Sequence, residues 1–278
     1  MKIYLNAQDN PRTWNKKNYL LRAQERMGGT NFADLNSVSY DRPEFVLNIE
    51  PCEFVFGSKW TGLWHIDNLV GDEKYYAYNL FDTVFTADLS DSPKAMLLLQ
   101  ACDPEMHRRI PEIKQEYDFV ICGSSLHTNN IWQKRKEAWA ELKKHFTYKE
   151  FTPPNDGWTE KLLPHQQYIE AQNMGKVQFI HSMWVNGRGE IAQRFFECLA
   201  IGPVLTNYTK ELEHTGLVED EDYMCYNDKE TMLNKMHLLI NDEALRNKIA
   251  ESGRRKALLY HSYESRLGSI FNVAKQYA

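Results

Sequence analysis

The residues best suited to chemistry share one stretch, Gly189-Glu190-Ile191-Ala192-Gln193-Arg194-Phe195-Phe196-Glu197-Cys198-Leu199-Ala200-Ile201-Gly202-Pro203-Val204-Leu205-Thr206. Arg194 and Glu197 are three positions apart, which on a helix gives them a common face. An arginine there can neutralise a diphosphate, and a neighbouring carboxylate can accept hydrogen bonds from two ribose hydroxyls. A glycine-bearing loop, Asn186-Gly187-Arg188-Gly189, leads into this helix, so backbone N–H groups near Gly189 and the positive end of the helix dipole would meet a phosphate. Gly202 suits the helix stop, Pro203 prevents continuation, and a strand ending in Thr206 follows. The spacing equally fits a plain surface pair of Glu190 with Arg194, leaving Glu197 in solvent.

Three further sets of residues are candidates. Gly123-Ser124-Ser125 follows an apolar strand, and a turn at the carboxyl end of a parallel strand is where ligands bind in such sheets. Asp67, with His65 two residues before it, could take the proton from a hydroxyl that attacks in a transfer reaction; both could also do no more than satisfy a strand-end turn. Trp60 and Trp64 flank Thr61-Gly62-Leu63 nearby and are the candidates for an aromatic wall on the acceptor side, while most aromatic residues of the first half belong in a core. Glu219-Asp220-Glu221-Asp222 contains an Asp-x-Asp triplet, but no apolar strand precedes it. It is expected to be a solvated acidic turn, and no metal is expected to be essential.

The elements that would position these residues alternate. Strands are expected at Lys2–Asn6, Phe45–Ile49, Gly62–Ile66 and Thr83–Thr86, with a helix ending near Gly28-Gly29 and another over Glu73–Phe81. The pattern restarts at Tyr117–Gly123 and runs into a helix over Ile131–Lys144, then strands at Phe146–Phe151, Val177–Ile180 and Pro203–Asn207 with a helix over Ile191–Ala200 between the last two. Helices over Lys229–Ile240, Glu243–Leu259 and Ser265–Tyr277 complete the chain. Alternation of this kind predicts α/β units with largely parallel sheets. The Pro- and charge-bearing segment Cys102–Glu116 is the expected linker.

The central stretch resembles the signature of the CgeB-like branch of the group 1 glycosyltransferases: Arg-x-Phe-Glu, Ala-x-Gly, then a hydrophobic strand ending in Thr, here Arg194-Phe195-Phe196-Glu197, Ala200-Ile201-Gly202 and Val204-Leu205-Thr206. The likeness continues through Gly216, Tyr226-Asn227-Asp228, Arg246–Ala250 and His261–Arg266, and covers most of residues 117–271. In the first half it runs through Trp64–Asn68, Phe81–Thr86 and Gln100–Pro104. The resemblance implies the GT-B fold, an α/β architecture of two Rossmann-like domains facing a cleft, with the C-terminal helix crossing back to the N-terminal domain. Its implied boundaries are 1–103 for a small acceptor-side domain, 104–264 for the nucleotide-sugar-binding domain, and 265–278 for the returning helix. It also implies transfer of a sugar from a nucleoside diphosphate to a hydroxyl, with a UDP-sugar first among the expected co-substrates. Gly123, Ser124, Gly189, Arg194, Glu197 and Thr206 would be donor-binding: Arg194 on phosphate, Glu197 on ribose. Asp67 would be the general base if the reaction inverts configuration, and would hold sugar hydroxyls or acceptor if it retains. Glu190 precedes Glu197 by seven positions where retaining relatives have eight, so it inherits no role.

Composition narrows the partners. A formal net charge of −5 over 278 residues lacks the basic footprint of a protein that tracks nucleic acid, which leaves nucleic acid as an acceptor at most. The Lys134-Arg135-Lys136 run is expected to be a solvated helix face. The apolar runs fall far short of the ~20 residues that span a bilayer, and the N-terminus lacks a signal-peptide pattern, so a cytoplasmic location is expected. Five scattered cysteines without a C-x-x-C pair point to buried free thiols. A sugar-nucleotide epimerase or a non-catalytic nucleotide-sugar-binding scaffold on the same fold are the alternatives.

Overall fold

The computed structural model describes residues 1–7, 16–37, 43–49, 55–65, 78–86, 94–122, 130–151, 165–185 and 188–278. In chain order the strands are β1 (Ile3–Ala7), β2 (Phe32–Asp34), β3 (Phe45–Ile49), β4 (Trp60–His65), β5 (Thr83–Thr86), β6 (Ala95–Leu97), β7 (Tyr117–Cys122), β8 (Tyr148–Phe151), β9 (Gly175–Ile180), β10 (Met183–Val185), β11 (Arg188–Glu190), β12 (Val204–Asn207) and β13 (Met224–Tyr226). The α-helices are α1 (Lys16–Arg26), α2 (Asn130–Leu142), α3 (His165–Asn173), α4 (Gln193–Ile201), α5 (Lys229–Asn241), α6 (Glu243–Tyr260) and α7 (Tyr263–Ala274). Two compact units result, Met1–Leu99 with Ser262–Ala278, and Gln100–His261. Among the described residues no helix is long and apolar enough to cross a membrane.

The first unit holds a parallel sheet of order β2-β1-β3-β4-β5-β6. Every residue of β3 and β5 is buried, as expected of parallel strands covered on both faces. The Trp60 indole lies across Gly62 of its own strand, so closely that a Cβ at Gly62 would stand 2.4 Å from the ring. The terminal helix α7 returns to this unit: Ser262 caps it, Tyr263 stacks on Tyr19 at 4.8 Å, and Arg26 Nε donates to Glu264 at 2.6 Å.

The second unit holds a parallel sheet of order β13-β12-β9-β7-β8. Alternate residues of β7 serve opposite cores: Phe119 and Ile121 pack with Trp139, Leu142 and Phe179, while Val120 and Cys122 pack with Tyr168, Ile169 and Ile201. Asp228 and Thr231 form a capping box that starts α5. β7 comes first in this sheet, β8 lies on one side of it and β9 on the other, so the winding reverses between β7 and β9. In open α/β sheets that switch point, at the carboxyl ends of the strands, is where ligands bind.

Several expectations need correction. Arg188-Gly189-Glu190 is not loop but the second strand of an antiparallel ribbon, with Met183 opposite Glu190, Trp184 opposite Gly189 and Val185 opposite Arg188. Three residues on each strand pair in register, so ladder hydrogen bonds rather than loop geometry set the conformation of Gly189. Asp222 is not solvated: it is fully buried, bonded by Lys256 at 2.5 Å and Ser252 at 2.6 Å, and its backbone carbonyl would stand 2.2 Å from a Cβ at Gly253. The acidic turn therefore anchors α6. Nor is Arg135 part of a solvated face; it turns toward the sheet, while Lys134 stays exposed. Cys102, Cys122, Cys198 and Cys225 are buried thiols outside any disulfide, and burial pushes Cys122 and Cys225 up to about 12. Cys52 lies outside the described residues, as does most of the helix expected over Glu73–Phe81.

Candidate functional site

At the switch point the carboxyl ends of β7 and β9 are each held by an arginine. Arg194, in the first turn of α4, donates from Nη1 to the carbonyl of Cys122, the last residue of β7. Arg135, on α2, donates to the carbonyl of His181, just past β9, from Nη2 at 2.8 Å and Nε at 3.1 Å. α2 carries Ala138, Trp139 and Leu142 into the core, and a residue three or four positions ahead of them shares that inner face. Arg135 is thereby held under the strand ends. A guanidinium has five N–H donors, and the Cys122 carbonyl takes only one of those on Arg194, which leaves donors for a ligand.

Between these side chains is a cavity of about 30 Å³, lined by Cys122, Arg135, His181, Ala192 and Arg194 over a floor that includes Trp139 and Phe179. At ~10–15 Å³ per water it admits about two waters, or the oxygens of one phosphate, rather than a whole nucleotide. Among the described residues the lining contains two guanidinium groups and no carboxylate. The two cations act on each other: burial, then the Arg194 charge, pulls Arg135 down to about 10, which still leaves it charged at neutral pH. Burial also works against the Arg194 cation, but the electron-rich groups of Tyr168, Cys122 and Glu197 outweigh it, so its pKa rises. The Arg194 guanidinium lies 5.4 Å from the centre of the Tyr168 ring, a cation–π contact that holds it in place.

The amino end of α4 adds a second source of positive potential. Its cap residue is Ala192, which has no side-chain acceptor for the first-turn N–H groups and itself lines the cavity. An uncapped helix start, two arginines and a strand-end cavity together form a site for an anion with several oxygens.

Glu197 is placed differently from its partner on the helix. It is only 4% exposed and does not line the cavity, which excludes the solvent-facing alternative. Its Oε1 accepts from Gln193 Nε2 at 2.8 Å and stands 3.6 Å from His107 Nε2, and its Oε2 accepts from the Tyr168 hydroxyl at 3.4 Å. His107, fully buried, takes the Asp103 backbone N–H on Nδ1 at 2.8 Å. Segment 100–116, which carries it, is fastened to the second unit by Arg109, whose Nη1 donates to Asn173 Oδ1 at 2.8 Å.

The other expected site residues are scattered. Gly189 lies in β11, and Thr206 is buried within β12 and outside the cavity lining. His65 is the last residue of β4, paired with Thr86. Trp60 and Trp64 have no exposed surface: Trp60 packs edge-on to Phe85 and donates to Thr83 Oγ1 at 3.2 Å, so neither ring offers a face to a ligand. Gly123, Ser124 and Asp67 lie outside the described residues. The structure brings in three side chains that the sequence did not single out, Arg135, His181 and Tyr168. For Arg135 the signal was present in its spacing from Ala138 and Trp139.

Comparison with known proteins agrees with this geometry. A family model described as glycosyl transferase-like matches residues 104–272, which contain the whole cavity. No curated protein matches the sequence. Among solved structures, TarM aligns with a TM-score of 0.56 at 13% identity over 92% of this chain, which spans only 57% of the TarM chain. A DNA-modifying β-glucosyltransferase, solved with and without its substrate uridine diphosphoglucose, aligns with a TM-score of 0.59 at 14% identity over 99% of both chains. HepE of Anabaena, in complex with UDP and glucose, aligns with a TM-score of 0.60 at 8% identity over 98% of this chain and 100% of that one. At such identities these likenesses establish the fold.

Proposed function

The chain belongs to the glycosyl transferase-like family and is a glycosyltransferase of the GT-B fold, and from that premise we propose that it moves a sugar from a UDP-sugar to an acceptor hydroxyl, holding the donor diphosphate at the end of β7 and β9. The observation that carries this reading is the cavity that brings two arginines together at an uncapped helix start. Transfer leaves a nucleoside diphosphate whose bridging oxygen gains negative charge as the glycosidic bond breaks. Donors fixed beforehand at that point lower the barrier, because they need no reorganisation as the charge develops. Arg194 and Arg135 are the phosphate-binding pair. Glu197, which the family pattern places on the ribose, would reach its hydroxyls only by giving up the Gln193 amide at Oε1.

On the acceptor side, His65, the last residue of β4, and Asp67, two positions further along the sequence and outside the described residues, are the proton-accepting candidates; the support is the place of His65 at the end of a parallel strand. The acceptor is a hydroxyl of a glycan, a protein, a small molecule or a modified nucleic-acid base. UDP as the donor nucleotide is supported by two of the similar structures, which were solved with UDP or uridine diphosphoglucose.

The test is thermal unfolding with UDP, GDP, ADP, CDP and dTDP on the wild type and on Arg194→Ala. A ligand at a hundred times its Kd adds about 2.7 kcal/mol to the state that binds it. UDP is expected to stabilise the wild type, with the shift lost in a folded Arg194→Ala. Absence of a shift with every diphosphate would remove the donor site from this cavity.

A further inference from the structure

One titratable residue of the cavity lining is left unused by the two-arginine account. His181 follows the last residue of β9 and lines the cavity beside Arg135 and Arg194. Its Nδ1 lies 2.8 Å from the hydroxyl of Tyr226, the last residue of β13. That phenol is 6% exposed, and burial raises its pKa well above the ordinary value, so it keeps its proton. The direction of this hydrogen bond follows the tautomer: with the protonated phenol as donor, Nδ1 is the acceptor. A neutral imidazole that accepts on Nδ1 must carry its own proton on Nε2.

The surroundings keep the ring neutral. Arg135 and Lys134 approach it from α2, Arg194 shares its cavity from α4, and the group presented by β13 is the protonated phenol. Burial first, then Arg135 and Lys134, pulls the imidazole down to about 4. Phe179, stacked on Tyr226 with ring centres 5.8 Å apart, fixes the phenol's orientation.

Resting on the donor reading above, we propose that His181 is a neutral hydrogen-bond donor from Nε2 to the phosphate of the bound nucleoside diphosphate, and that Tyr226 is the positioning residue that fixes its tautomer. When the sugar's anomeric C–O bond breaks, its electron pair stays on the diphosphate oxygen. The acceptor oxygen forms the new bond and gives its proton to the base on the acceptor side. His181 keeps its proton throughout and contributes only the hydrogen bond, which strengthens as the oxygen becomes more negative. A third neutral donor suits a site where a third cation would be repelled by the two arginines.

Calorimetric titration of UDP at pH 7 to 9 tests this on the wild type, His181→Leu, His181→Gln, Tyr226→Phe and Arg194→Ala, with imidazole ¹⁵N shifts recorded for the wild type and Tyr226→Phe. His181→Leu is expected to weaken UDP about tenfold or more, the scale of one hydrogen bond to a charged group. His181→Gln, whose amide N–H reaches toward the same place, should recover part of the loss. Tyr226→Phe should weaken UDP by about threefold and move the wild-type Nε2–H signal toward a mixture of tautomers. If His181→Leu binds UDP like the wild type while Arg194→Ala does not, the His181 role is overturned and the donor site stands. If neither variant changes UDP binding, or the wild type does not bind it, both fall. Wild-type affinity that declines from pH 7 upward, and no longer does so in His181→Gln, would show a charged imidazole and overturn the neutral donor. Should His181→Leu fail to fold, the tautomer signal and the Gln variant decide the question by themselves.

Discussion

Trp60 in the first sheet and Arg194 beside the second both belong to stretches whose sequence suggests a ligand, and the structure treats them in opposite ways. Trp60 starts β4 and is fully buried, while Arg194 stands at the carboxyl end of β7 with donors to spare. The difference is physical. An indole gains most when all its apolar surface is removed from water, so an aromatic residue in a parallel strand marks packing. A guanidinium can leave water only where acceptors meet it, and strand-end carbonyls meet part of it, so an arginine at a strand end marks a site. The largest expected effect breaks or confirms this contrast: Trp60→Ala should cost ~3–5 kcal/mol in denaturant unfolding, as large core truncations do, and leave UDP affinity within about twofold. Stability within ~0.5 kcal/mol of the wild type together with reduced transfer would return Trp60 to the acceptor side.

The second effect sharpens the same contrast through pH. His181 titrates at about 4 when folded, below its ordinary 6.5, so between those values the unfolded chain binds the proton and the folded chain does not. Its contribution to stability is therefore complete above pH ~6.5 and is lost as pH falls toward 4, by at most ~3 kcal/mol. Urea unfolding at pH 7.5 and 4.5 should show a smaller acid loss in His181→Gln than in the wild type. Equal losses would mean that the ring is not held neutral by burial and the neighbouring cations.

Much of the framework was legible. β3 and β5 coincide with their β-branched and aromatic runs, and α5 begins at Lys229, where the helix was expected to start. The elements that escaped were short or polar. β2 and β6 are three residues each, too short for a periodic signal, and α3 shows only Tyr168, Ile169 and Ala171 as buried apolar residues among many amides. The site was legible where local spacing decides the outcome, as with Arg194 in the first turn of a helix. It was not legible where neighbours in space decide it. His181 matters because β9 lies next to β7, and Tyr226 matters because β13 brings a phenol to Nδ1; strand order is not written in either segment. Glu197 shows the same limit, since its face was clear from spacing but its partners His107 and Tyr168 come from distant segments.

The smallest expected effect concerns that glutamate, the residue on which packing and ligand roles are hardest to separate. A carboxylate bonded by Gln193 and Tyr168 and approached by His107 is fully accounted for as part of the interior. A ribose contact adds one demand that the interior does not: the protein must distinguish UDP from 2′-deoxy-UDP. If Glu197 accepts from the 2′-hydroxyl, the wild type should prefer UDP by about fivefold to tenfold, the scale of one net hydrogen bond, and Glu197→Gln should bind the two nucleotides nearly equally. The variant is isosteric and keeps one acceptor oxygen, so the interior loses little packing and the comparison stays within a folded protein. A preference that survives in Glu197→Gln would assign the ribose to another residue and leave Glu197 as the carboxylate that steadies α4 against His107. A preference absent from the wild type as well would show that the site reads the diphosphate alone, with Arg194 and Arg135 supplying the recognition.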